Sequence, residues 1–445
     1  MPRLAAWNIV RYGGLAPLRA VDSFAAQAGL DDRDRALVRR IVGTEVRMRA
    51  TLRAIVDRYA RGKPSPDVRA HLRLGVVQLL FLDNVPPHAA VSETVRAAAD
   101  SVGLSRGRYV NGVLREIQRH AKHGNLGAPR QDVVGRPWFL DEAVFRDPEE
   151  HPFLWAEDAL SMPASLVKRW AARYGQERAF ELARQAMNEA PISVRASDAD
   201  VDSLLAEFAA LGIDAVPGAT PGHLRVSSSD VSGVTASEAF QQGRCTIQGD
   251  TAGAAVQLLA PKSGERILDL CAAPGGKSLG IAASGANVLA LDLNAQRIAR
   301  ARSAVERLQP AGTLQLAAMD GTTGLHPDVT FDAALLDAPC SNTGVLAQRP
   351  AARWRFGPSA IRELKEIQAY LLDDCAARIR PGGRMVYSTC SLEPEENGQQ
   401  LRAFLERHPD WTAGPSSEHL PLPNPEAPDR PAPVDGGFAA LLQRS

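Results

Sequence analysis

Through the first 125 residues apolar positions return every three or four residues with arginines between them, the period of helices that bury one face. Leu37, Ile41, Met48, Leu52, Ile55 and Tyr59 follow this spacing. A denser run, Leu72, Leu74, Val76, Val77, Leu79, Leu80 and Phe81, predicts a buried helix that Pro86-Pro87 should end. Further helices are expected over residues 89–101 and 109–120. Residues 126–160 are rich in glycine, proline and acids without periodicity and read as a linker. Residues 161–240 combine a helix (164–190) with short strand-like pieces at 192–195 and 223–226, a small α+β module. Residues 241–445 then alternate strands with helices, the pattern of a parallel α/β sheet. Strands are expected at 266–270, 287–291, 314–318, 331–336 and 384–388, and helices at 277–283, 295–308, 359–378 and 396–408.

Hydrophobic residues at 45% and charged residues at 23% suit a globular chain. No apolar run reaches membrane-spanning length, and no export signal opens the sequence, so a cytoplasmic location without a membrane partner is expected. The formal net charge of zero hides an asymmetry. Residues 1–125 carry 21 Lys+Arg against 11 Asp+Glu, leaving 30 against 40 of the 51 of each sign for the rest. That leaves two readings open: an anionic partner for the N-terminal part, or a solvated helical surface. The five cysteines, Cys245, Cys271, Cys340, Cys375 and Cys390, are odd in number and form no C-x-x-C pair, which points to free thiols rather than disulfides or zinc.

In an open α/β sheet, ligands bind at the carboxyl ends of the strands. Those ends carry Asp269, Asp292, Asp320 and Asp337. The first strand runs into Cys271-Ala272-Ala273-Pro274-Gly275-Gly276-Lys277, a loop of small residues that lets backbone approach a ligand closely. It is neither the dinucleotide G-x-G-x-x-G loop nor a phosphate-binding P-loop. Asp292 lies where an acid takes ribose hydroxyls, and Asp320 is placed to meet an adenine amine, so the favoured cofactor is S-adenosyl-L-methionine. Each acid alone is more often a helix cap; four after successive strands favour a site.

Two cysteines fall on the same edge, Cys340 in Asp337-Ala-Pro-Cys340-Ser-Asn-Thr-Gly344 and Cys390 in Tyr387-Ser-Thr-Cys390-Ser391. Cys375, on a helix with Leu371 and Ile379, reads as core; Cys271 would line the loop through its backbone, and Cys245 has no assigned role. Methylating a poor carbon nucleophile such as cytosine C5 requires a thiolate to add at C6 first, an acid near N3, and a group for release. Either cysteine could supply the thiolate on this reasoning.

Residues 264–400 resemble the NOL1/NOP2/Sun family of RNA cytosine-C5 methyltransferases. The resemblance rests on the 269–277 stretch, Asp292-x-x-x-x-Arg297, Asp337-Ala-Pro-Cys340, and Tyr387-Ser-Thr-Cys-Ser391 with Glu396-Asn397. It implies a Rossmann-like class I methyltransferase domain. It further implies Cys390 as nucleophile, Cys340 in release, Asp337 on the cytosine edge and cofactor, Lys277 orienting that carboxylate, and Arg297 within the cofactor site. Asn342 stands where the family has glycine, residues 351–354 replace a more polar stretch, and Asp435-Gly-Gly-Phe438 is a loose form of a closing strand.

Residues 20–120 resemble the all-α NusB fold. The matching stretches are Asp34-Arg35 before the second helix, Leu72-Arg-Leu-Gly75 with Gln78, Val85-Pro86-x-His88-Ala-Ala-Val91, and Val110-Asn-Gly-Val-Leu-Arg115. The pairing resembles the 16S ribosomal RNA (Sun/RsmB) branch, so the expected partner is RNA, not DNA, and the expected state a monomer. Arginine supplies 45 of the 51 basic residues, which suits phosphate forks and stacking on unpaired bases. Two rivals are an amino-methylating enzyme, whose base-stacking aromatic Cys340 would replace, and a non-catalytic RNA-binding assembly protein.

Overall fold

The computed structural model describes residues 2–197, 200–321, 324–326, 328–425 and 431–445. The chain forms two compact units, Met1–Asn188 with Arg353–Arg355, and Glu189–Ala352 with Phe356–Ser445.

The first unit is helical. Its long helix, Asp32–Tyr59, starts where the Asp31 carboxylate accepts the Asp34 N–H at 2.7 Å. Asp34-Arg35 therefore lies in the first turn of the third helix, after Pro2–Tyr12 and Pro17–Gln27, and not ahead of the second. The dense apolar run forms Pro66–Leu80, capped by Ser65 and opened by Pro66. It ends at Leu80, before the two prolines, and Pro87 instead begins the next helix, Pro87–Val102. The last of the group is Leu104–His120. Gly75 allows that helix to approach, since a Cβ there would lie 2.6 Å from both Leu114 methyls. Two of its buried polar side chains are paired: Glu45 binds Arg49 and Arg73, and Gln78 joins Arg3, Leu74 and Thr94.

Residues 126–160 are not a structureless linker. Trp138–Leu140 pairs antiparallel with Ala121–His123, and Pro152–Leu160 is a helix. The loop between is organised by Asp132, which accepts the Leu126 and Ala128 N–H groups. Such side-chain pinning leaves no periodic trace. The helix expected over 164–190 is two, Ala164–Tyr174 and Gln176–Gln185, separated by Gly175 at φ +85°. Both belong to the first unit.

The second unit begins with a four-stranded antiparallel sheet, Ala215–Pro217, His223–Val226, Ile192–Ala196 and Cys245–Ile247 in spatial order. Cys245 is buried in its core with Phe208 and Leu224. The main sheet has seven strands: β1 Arg266–Leu270, β2 Asn287–Asp292, β3 Leu314–Ala318, β4 Phe331–Asp337, β5 Ile379–Thr389, β6 Trp411–His419 and β7 Gly437–Arg444. Their order is 6-7-5-4-1-2-3. Strands 3-2-1-4-5 are parallel, and β7 runs antiparallel between β5 and β6. Side chains alternate between two covered faces. Leu268, Leu270, Leu336 and Tyr387 pack with Leu372 and Cys375 on one face; Ile267, Leu335 and Val386 pack with Ala255, Leu259 and Ile281 on the other. Asp269, Asp292, Asp320, Asp337, Cys340 and Cys390 lie at or just past the carboxyl ends of β1 to β5.

Candidate active site

The loop after β1 turns through Cys271 at φ +61° and Gly275 at φ +94° into the helix Gly276–Ala282. Glycine is required at 275 twice over: by its backbone angle, and because a Cβ would stand 2.6 Å from that of Ala301. Asp292, at the end of β2, clamps this loop. Its carboxylate accepts the Ala273 N–H at 3.1 Å and the Asn294 N–H at 2.8 Å. Arg297 donates to the Ala273 carbonyl at 2.6 Å. Asp292 and Arg297 thus hold the 271–277 backbone, and each Asp292 oxygen retains acceptor capacity.

Asp269 is fully buried. One oxygen accepts the Ser278 hydroxyl at 2.5 Å and the other has no partner. Burial pushes its carboxyl up to about 7. An orphaned buried oxygen beside a tight glycine turn is suited to a ligand with donor groups. Asp320, two residues past β3, is exposed; residues 322 and 323 after it lie outside the described set.

At the end of β4, Asp337 meets the Lys277 ammonium at 2.7 Å and the Ser388 hydroxyl at 3.0 Å. Burial opposes the charge on Lys277, but the carboxylates of Asp337 and Asp269 outweigh it and raise its pKa. Lys277 keeps its charge.

Cys340 and Cys390 come together with their sulfurs 3.1 Å apart. The contact with Cys390, burial, and then Glu396 raise Cys340 well above the usual thiol range. Cys390 is lowered, first by the Cys340 contact and then, against burial, by Arg349 and Lys277. The surrounding charges therefore assign the first proton lost by the pair to Cys390. Asn342 sits between them at φ +62°, a left-handed position that explains why glycine is the usual residue and why asparagine is tolerated. Its amide nitrogen donates to the Cys340 carbonyl at 2.6 Å, and its oxygen accepts from Arg349 at 2.5 Å and faces Cys390 Sγ at 3.3 Å.

Several residues had no role in the sequence reading. Glu396, buried, accepts the Ser341 N–H at 2.8 Å, the Gln368 amide at 3.1 Å and the hydroxyls of Ser341 and Ser391. Asn397 donates to the Ser391 carbonyl at 2.9 Å and accepts from Thr389 at 2.6 Å. Gly344 packs so closely on Gly436 that a Cβ would lie 2.4 Å from its carbonyl oxygen. The only sequence signal for the two acid-amide partners was the adjacency Glu396-Asn397 six residues past Cys390. Cys375 is core, and burial raises its thiol out of the reactive range.

Residues 256–424 match the family described as 16S rRNA methyltransferase RsmB/F, and residues 16–119 match the NusB family. The ribosomal RNA small subunit methyltransferase B of Cronobacter sakazakii is 32% identical over 86% of this chain and 85% of its own length. The protein of the same name from Citrobacter koseri is 33% identical over 89% of each. The chain belongs to the RsmB/F family of methyltransferases. A solved methyltransferase homolog protein from Pyrococcus horikoshii covers 67% of this chain and 100% of its own, with 25% identity and a TM-score of 0.55. The cofactor of this RsmB/F member is S-adenosylmethionine, and the site's residues fit one. The glycine turn admits close backbone approach, Asp292 retains acceptor capacity for hydroxyls, and the orphaned Asp269 oxygen awaits a donor.

Proposed function

We propose that this RsmB/F methyltransferase transfers the methyl group of S-adenosylmethionine to C5 of a cytosine in 16S ribosomal RNA, through a covalent bond between Cys390 and C6. The observation that carries the reading is the thiol pair, with Arg349 and Lys277 acting on Cys390 and Glu396 acting on Cys340.

The Cys390 thiolate adds to C6 while N3 takes a proton from solvent, and Asp337, which Lys277 and Ser388 hold in place, accepts the hydrogen bond of the new N3–H. C5 becomes electron-rich and accepts the methyl group that the bound cofactor supplies. Once the Cys390 charge is consumed in the C–S bond, Cys340 no longer faces a thiolate and releases its proton to solvent more readily. Its thiolate then removes the C5 proton. The electron pair reforms the C5–C6 double bond, the bond to Cys390 breaks and the N3 proton departs. Cys340 ends protonated and Cys390 ionised, as they began. Asp292, Arg297 and the 271–277 loop hold the cofactor; Asp269 and Asp320 complete the acid set of its pocket.

Methyl-transfer assays on 16S ribosomal RNA test the assignment. Cys390→Ala abolishes transfer while retaining cofactor binding, and Cys340→Ala accumulates a protein–RNA adduct resistant to denaturation. Wild-type transfer by Cys390→Ala removes the nucleophile assignment. Bisulfite sequencing of ribosomal RNA from a strain lacking the protein identifies the position.

A further inference from the structure

Ser341 follows Cys340 and Ser391 follows Cys390, so the residue that joins these two serines also joins the two thiol-bearing loops. That residue is Glu396. One oxygen accepts the Ser341 N–H at 2.8 Å and the Gln368 amide at 3.1 Å; the other accepts the Ser341 hydroxyl and the Ser391 hydroxyl at 2.5 Å. Four donors converge on two oxygens, the arrangement an ionised carboxylate satisfies. Its own backbone is fixed in turn, because the Tyr387 hydroxyl from the middle of the sheet donates to the Glu396 carbonyl at 2.6 Å. The side chain is fully buried, which removes the water that would otherwise screen its charge.

We propose that Glu396 is a positioning residue with two tasks: it clamps the Cys340 and Cys390 loops to each other, and its buried charge biases the proton the two sulfurs share toward Cys340. The inference rests on the cysteine roles proposed above and adds the group that sets them apart.

The charged and titratable groups acting on the pair are few. Arg349, Lys277 and Asp337 act on Cys390, while Glu396 acts on Cys340, which in turn lies against buried Tyr387. Of the two carboxylates, Asp337 is already matched by Lys277 at 2.7 Å. Among the described residues the hydrogen-bond partners of Glu396 are all neutral donors, so none of them cancels its charge at the Cys340 sulfur. A thiolate at Cys340 would be opposed by this charge; a thiolate at Cys390 is favoured by the Arg349 guanidinium and the Lys277 ammonium. Clamp and field work together, since the bias has meaning only while the sulfurs share a proton at 3.1 Å.

Iodoacetamide labelling of the full chain tests this between about pH 6 and about pH 9, read by mass spectrometry on the separate tryptic peptides that carry Cys340 and Cys390. In the wild type Cys390 labels faster. Glu396→Gln removes the charge but can still serve the Ser341 N–H through its oxygen and the two hydroxyls through its nitrogen. It is expected to speed Cys340 labelling and lower the Cys390:Cys340 rate ratio by about tenfold, with the two pH profiles converging. An unaltered melting midpoint and unaltered S-adenosylmethionine binding verify that the fold holds. A merely structural Glu396 would leave ratio and profiles unchanged in the folded variant, and that result overturns the proposal. Should Glu396→Gln not fold, Ser341→Ala takes its place: a ratio narrowed by about threefold supports the proposal, and the wild-type ratio overturns it. The labelling needs no RNA. If Cys390→Ala still methylated RNA, the proposed reaction would fail while this readout kept its meaning.

Discussion

Cys340→Ala is expected to do two things at once: trap the adduct, and slow its formation. The substitution removes the S–H that lies 3.1 Å from the Cys390 sulfur, the contact that contributes most to lowering the Cys390 pKa. A hydrogen bond to a charged group is worth about 1.5–3 kcal/mol, so the population of Cys390 thiolate at fixed neutral pH should fall about 10–100-fold. Arg349 and Lys277 remain, which places the expected effect at the lower end of that span. The sign follows from the direction of the shift. Without its partner Cys390 moves back up, so the fold-deficit is greatest on the acid side, shrinks as pH rises and disappears once the solution is alkaline enough to ionise an unaided thiol. The assay is rapid quench of enzyme, cofactor and RNA, with the adduct band on a denaturing gel followed against pH and compared with the wild-type first turnover. Adduct formation about tenfold slower near pH 7 and converging with the wild type near pH 9 is the expected result. Formation at the wild-type rate throughout, or a deficit that pH does not relieve, refutes the reasoning that Cys340 acidifies its neighbour.

Three further outcomes follow from the geometry. Asp269 has a folded-state pKa of about 7 against an ordinary 3.8, so between these values the folded protein binds the extra proton and loses stability as pH rises. Asp269→Asn should remove that slope, worth up to roughly 4 kcal/mol, from cofactor-free denaturation curves; a slope unchanged in the variant contradicts it. Gly275→Ala forces a side chain into a left-handed turn and against Ala301 Cβ, and should weaken S-adenosylmethionine binding in calorimetry by about tenfold or more while the first unit melts normally. Glu45→Gln leaves Arg49 and Arg73 without their buried carboxylate and should destabilise the helical unit by about 3–5 kcal/mol in chemical denaturation, with Cys390 labelling unaltered.

The parallel strands were legible to within a few residues because both faces of such a sheet are buried and the apolar runs are bounded by glycines, prolines and acids. Strands at 266–270 and 314–318 coincide with the observed Arg266–Leu270 and Leu314–Ala318. Legibility ended where structure is fixed by single side chains. Asp132 organises residues 126–140 by two bonds to backbone N–H groups, and Gly175 divides one apolar stretch into two helices by its φ angle alone. The same holds at the site. Acids at strand ends could be read from the spacing of strands, but not that Asp292 would be committed to the Ala273 N–H, nor that Arg297 would bind the Ala273 carbonyl. The sequence placed two cysteines on one edge without separating them. Their difference comes from Arg349, Lys277 and Glu396, which only the folded loops bring to the sulfurs.

Peptide mapping of the adduct tests the central claim most directly. Cys340→Ala enzyme is incubated with S-adenosylmethionine and 16S ribosomal RNA, digested with trypsin and nuclease, and analysed by mass spectrometry. The expected product is a methylated cytidine attached to Cys390 in the peptide that begins at Met385. A nucleotide attached to any other residue, or normal turnover with no adduct, contradicts it.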